Sequence, residues 1–182
     1  FIIRRLPSTS AGCFIMYDVN PHDVRRFFAH VWQLRFAPVR LDALQQKALR
    51  ILEGHREYAP ILDNIEHYLD HNWTPEQGQT NPFLHLSMHL SIQEQVAIDQ
   101  PFGIRAIHAQ LCAKHNDDWG AAEHEMMEAL AETLWEAQRF GRGLDVNQYM
   151  TRLRKLVDLG QEDQARINPH EVPQSDRISE RK

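Results

Sequence analysis

The chain has 182 residues, 42% of them apolar and 25% charged, and a formal net charge of −5. That composition describes one globular domain with enough apolar mass for a core, and its acidic balance excludes a protein held on phosphate backbones by counterion release. No apolar run reaches the roughly 18 residues of a membrane span, and Cys13 and Cys112 form neither a disulfide framework nor a zinc-knuckle spacing. The expectation is a cytoplasmic protein that binds neither membrane nor nucleic acid, with a protein partner or a second copy of itself as the remaining macromolecular candidates.

Residues 1–15 read as an upstream extension outside the fold, with Met16 the better start. Arg4, Arg5 and Ser10-Ala11-Gly12-Cys13 mimic a lipoprotein cleavage box, but Leu6-Pro7-Ser8-Thr9 between them is too short and polar for the apolar region of a signal. Asn20-Pro21 opens the first predicted helix, a cap residue followed by a proline whose missing N–H has no helical partner to lose. Val24, Phe27, Phe28 and Val31 share one face of it. Asp42 opens a second helix with Leu44, Ala48, Ile51 and Leu52 inward, and Pro60 interrupts the pattern so that Ile61, Leu62, Ile65 and Leu69 begin another segment or a kinked continuation. Residues 72–80 form a loop. The spacing then predicts helices over Pro82–Ile98, Pro101–His115 (opened by Asp99), Asp118–Phe140 and Val146–Val157, the last entered through Asp145-x-x-Gln148, which resembles a capping box. Gly160 closes that helix, and 160–182 reads as a flexible tail too poor in large apolar residues to offset its chain entropy. The predicted fold is therefore all-α: a single-domain bundle of about six helices over 16–159, with a disordered C-terminal tail. Short connections make neighbours antiparallel, so the helices over Pro82–Ile98 and Asp118–Phe140 should run parallel.

Several polar groups fall where the helical wheel puts apolar ones. His67 and His71 are one turn apart but lie opposite Ile61, Leu62, Ile65 and Leu69, so they face water. His85 and His89 sit on a helix apolar on nearly every side, in one stripe with Ile92 and Val96. His124 and Glu128 continue into Ala131 and Trp135 at the same spacing. If the two helices are parallel, both pairs lie near N-terminal ends within about a turn of each other, roughly 4–5 Å. His85, His89, His124 and Glu128 then make a shell that a divalent metal, Zn²⁺ or Fe²⁺ foremost, accepts; a network of buried, hydrogen-bonded imidazoles is the competing reading. Glu123 is a secondary member, either a partner of the helix dipole or a buried carboxylate with a raised pKa. Ser87, Ser91 and Glu94 form a narrow polar strip that lets a neighbouring helix approach. His108, Cys112 and His115 share a face, a weak zinc signal. Glu125, Glu132 and Glu136 read as a solvated acidic face suited to pairing with Arg152, Arg154 and Lys155.

Asn81-Pro82-Phe83-Leu84-His85-Leu86-x-x-His89, Glu123-His124-x-Met126-Met127-Glu128-x-Leu130, Leu134-Trp135-Glu136-Ala137-Gln138 and Asp99-Gln100-Pro101-x-Gly103-Ile104-Arg105 together resemble a bacterial family catalogued as domain of unknown function 1841, over about Tyr17 to Val157. The resemblance implies a small cytoplasmic helical protein and brings no activity, substrate or ligand set. The paired His-x-x-x-His and His-x-x-x-Glu are also similar to pieces of haemerythrin-type oxygen carriers, but in reverse chain order, which is a fold-level analogy only. Two functions follow as expectations. One is a non-catalytic accessory or interaction protein whose polar cluster fixes helix register. The other is a metal-binding bundle protein, hydrolytic with zinc, redox-active with iron, or a sensor, with Glu123 or Glu94 as the nearest general base.

Overall fold

The computed structural model of the protein describes residues 20–74 and 80–167. The extension before Met16, the middle of the 72–80 loop and the tail beyond Ile167 lie outside the described residues. Within them the chain forms α1 (Pro21–Leu34), α2 (Ala43–Gly54), a 3₁₀ turn (Arg56–Tyr58), α3 (Ala59–Asp63), α4 (Ile65–Tyr68), α5 (Pro82–Ile98), α6 (Ile104–Lys114), α7 (Trp119–Arg139) and α8 (Val146–Ile167), with no strand. The fold is all-α. No helix among the described residues is long and apolar enough to cross a membrane.

Eight helices rather than about six arise because the segment after α2 breaks repeatedly. His55 leaves helical geometry at φ −121°, ψ 53°, and Asn64 does the same at φ −123°, ψ 39°. Pro60 is accommodated in the first turn of α3, where no N–H is missed. The predicted starts hold where side chains cap free amides: Asn20 accepts from His22 N, Asp42 and Gln45 form a full capping box, and Asp118 accepts from Ala121 N. Asp99, predicted to open α6, instead ends α5 in the left-handed region at φ 53°, and from there its carboxylate accepts from Gly103 N and Arg105 N. It thus serves both helices. At the far end α8 runs past Gly160 to Ile167, where the sequence predicts a stop. A glycine inside a helix costs about 1 kcal/mol relative to alanine and does not by itself end one.

Two apolar cores lie on either side of α5. One joins Phe28, Val31 and Trp32 of α1, Ala48, Ile51 and Leu52 of α2 and Leu62 of α3 to Phe83, Leu86 and Leu90 of α5. The other joins Ile92 of α5 to Ile104, Ile107 and Leu111 of α6, Ala122, Met126, Met127 and Leu130 of α7, and Tyr149, Met150 and Leu153 of α8. The central helix therefore belongs to both layers, which explains why its sequence is apolar nearly all round. The predicted polar strip on α5 receives Lys47 of α2, which pairs with Glu94. Arg152 of α8 lies 2.9 Å from Glu132 and 2.7 Å from Glu136, the expected acid–base pairing between helix surfaces.

Candidate metal centre

Asn81 sets the frame of α5. Its side chain accepts from Phe83 N and Leu84 N at 3.0 and 3.3 Å, Pro82 fills the first turn, and the helix so started places His85 and His89 one turn apart on one face. The first half of α5 meets the first turns of α7 and the end of α2. Four imidazoles converge there: His55, His85, His89 and His124, each offering a ring nitrogen within 4.8 Å of the others. All six ring-centroid separations fall between 4.7 and 5.6 Å. His55 Nε2 lies 3.1 Å from His89 Nε2, and His85 Nε2 lies 3.3 Å from His124 Nε2. A tetrahedral shell with metal–nitrogen bonds of about 2.0–2.1 Å has donor–donor edges of about 3.3–3.4 Å. The His85–His124 contact has that length, and the His55–His89 contact is about 0.2 Å shorter.

Three of the outward nitrogens are held from behind. His89 Nδ1 donates to Glu123 Oε2 at 2.6 Å, His55 Nδ1 to Glu57 Oε1 at 2.8 Å, and His124 Nδ1 to the Gly120 carbonyl at 2.8 Å. A proton on Nδ1 of a neutral ring leaves Nε2 as a bare lone pair. In His55 and His89 two such lone pairs face each other, an arrangement relieved by a proton or by a cation. A single proton bridges two rings, whereas four ring nitrogens at one locus could together hold a cation. Glu57 and Glu123 would together offset the charge of a divalent ion held by neutral imidazoles, as backing carboxylates do in histidine metal sites.

Burial is graded across the group. His89 is 0% exposed and His55 nearly buried, His85 is half-buried and His124 exposed, so the site has a dry floor and a wet rim. Burial, then the neighbouring imidazoles His89, His55 and His124, push His85 down to about 4, and burial followed by His89 lowers His124. Glu123 is 2% exposed. Burial alone would raise it, but the neighbouring His108 and His89 rings, His89 through a direct hydrogen bond, outweigh burial and hold it below the usual carboxylate range. Glu57 is likewise lowered, burial being overcome by its bond to His55. Groups with folded pKa values below their unfolded ones bind fewer protons in the native state, so stability falls as pH falls. The metal-free protein is expected to lose stability from about pH 6.5, where an unfolded histidine begins to titrate, down to about pH 4 through His85. Glu123 extends the loss below the ordinary carboxylate range. Thermal midpoints measured across this window test the direction; a midpoint that rises on acidification would contradict it.

Of the residues expected to converge, the structure brings His85, His89 and His124 together and leaves Glu128 out. The stripe of His124, Glu128, Ala131 and Trp135 is the rim of α7, not its core face: Glu128 is exposed and Trp135 is 56% exposed, whereas Ala122, Glu123, Met126, Met127, Ala129, Leu130 and Thr133 point inward. A step of four residues advances about 40° beyond a full turn, which carries Glu128 away from the cluster. Glu123 is the buried carboxylate rather than a first-turn dipole partner, and its pKa is lowered, not raised. His55, absent from the expected set, supplies the fourth imidazole. His67 and His71 are exposed, as expected. Of His108, Cys112 and His115, the first two meet, with Cys112 Sγ 3.7 Å from His108 Nε2, but His115 turns away to pair with Glu125 at 2.7 Å, so the three do not assemble.

Fold and site together define an all-helical bundle with a histidine cluster between its layers. The family model for a domain of unknown function, DUF1841, matches residues 20–155, and the chain belongs to that family. No curated protein and no solved structure matches the chain.

Proposed function

We propose that this protein binds one divalent transition-metal ion through His55, His85, His89 and His124, and that the ion is part of its folded architecture. The observation carrying the reading is the facing pair of Nε2 atoms in His55 and His89, 3.1 Å apart, with both Nδ1 atoms engaged by carboxylates. Imidazole donors suit zinc and the later first-row ions over magnesium or calcium, which take oxygen. Four protein donors complete a tetrahedral shell, as in structural zinc sites. Such an ion supplies positive charge and fixed geometry, and it joins the register-fixing and metal-binding expectations in one site.

The test is metal content. Full-length protein prepared without an affinity tag is expected to carry about one equivalent of a divalent transition metal, to lose it to a chelator, and to regain it at neutral pH. Glu128→Ala is expected to keep that equivalent and His55→Ala to hold well under one equivalent. An ion-free protein that resists reconstitution, or loss on Glu128→Ala with retention on His55→Ala, would overturn the assignment.

A further inference from the structure

We infer that the ion fastens the two layers of the fold together, so that its presence decides whether the corner formed by the end of α2 and the 3₁₀ turn stays seated on the first turns of α7. This rests on the metal-binding reading above. Among the described residues the two apolar cores share no residue, and α5 alone of the helices contributes to both. The main helix packings run within each layer or onto α5: α1 with α2 and α3 on one side, α6 with α7 and α8 on the other. Where α2 meets α7 directly, the described side-chain contacts are slight. The Trp119 ring lies over Gly54, where an added Cβ would meet it at 3.7 Å, and the Arg50 guanidinium stacks on that ring at 4.4 Å.

The histidine cluster spans this joint. His55 comes from the first layer, His124 from the second, and His85 and His89 from the helix between them. His55 sits just past the last helical residue of α2, outside its regular backbone, so its position is set by what its ring binds as much as by the helix. Glu57, behind His55, belongs to the 3₁₀ turn. Without a cation, the His55 and His89 lone pairs facing each other at 3.1 Å must share a proton or separate, and each core can keep its own packing while the corner lifts away. Local opening of this kind is governed by the few contacts that hold a segment, not by the stability of the whole.

Hydrogen exchange on the full chain, metal-free and loaded with zinc, tests this. Removing the ion is expected to speed exchange of amides in 53–58 and 119–124 by about an order of magnitude or more, equivalent to about 1.4 kcal/mol. Amides in the hearts of the two cores, 28–32 and 107–111, are expected to change little. Trp119→Ala, which removes the direct contact, should enlarge the difference at 53–58 while the zinc-loaded protein stays protected there. Equal changes across both cores, no change at the corner, or a corner that opens in zinc-loaded Trp119→Ala would overturn the inference. Metal analysis of the same samples separates the two levels: bound zinc without a local effect overturns the fastening alone, whereas absence of bound zinc overturns the metal reading and the fastening with it.

Discussion

His89→Ala is expected to abolish metal binding and to lower the thermal midpoint by roughly 10 °C, following a loss of about 3–5 kcal/mol. The ring is wholly buried, and its Nδ1 donates to a carboxylate that is itself 2% exposed. Truncation leaves a cavity and strips Glu123 of its closest partner, and an uncompensated buried charge is among the few causes of losses this large. The remaining groups near Glu123, Gln93 Nε2 at 3.4 Å and His108 at 3.7 Å, are too distant to replace a 2.6 Å bond. Pairing the change with Glu123→Leu separates the two losses. Replacing both members of a buried pair by apolar groups is often neutral, so the double variant should recover much of the midpoint and none of the metal. Thermal scans and metal analysis of the three proteins read both effects; a double variant no more stable than His89→Ala would show that the buried carboxylate was not the cause.

Glu123→Gln is expected to weaken metal binding about 10–100-fold while leaving the ion in place at high concentration. The amide oxygen can still accept the Nδ1 proton and keep the ring oriented, so the loss isolates the charge. A carboxylate makes the imidazole behind which it sits a better donor and offsets part of the ion's charge in a nearly dry setting. Competition with a chelator of known affinity measures the change, and an unaltered affinity would mean that Glu123 serves packing and hydrogen bonding only. The smaller Glu123→Gln effect on folding, relative to His89→Ala, follows because no donor is orphaned.

Much of this architecture is legible in the sequence because its helix starts are written in local chemistry. Asn20-Pro21, Asp42 with Gln45, Asn81-Pro82 and Asp118 each satisfy their own first-turn amides, and such signals depend on no distant residue. The one-turn pairing of His85 and His89 is legible for the same reason. Glu128 fails because periodicity gives a direction but not the edge of the buried arc; His124 stands at that edge and still reaches the other rings, while Glu128 one turn on turns to solvent. His55 carries a readable signal, standing four residues after Ile51 and three after Leu52 on the buried stripe of α2. It lies just past the end of the helix, however, where a wheel no longer projects direction, and its place depends on how the 3₁₀ turn folds back. The stop predicted at Gly160 weighs one residue's propensity against a continuing helix, and the helix prevails to Ile167.

The most direct measurement is X-ray absorption at the metal edge of the loaded, full-length protein. The account predicts a shell of about four imidazole nitrogens near 2.0–2.1 Å, with the outer-ring scattering that histidine gives. It also predicts that His55→Ala, at its weaker occupancy, shows a lower imidazole count. A shell made chiefly of oxygen donors, or one whose imidazole count is unmoved by His55→Ala, would contradict it.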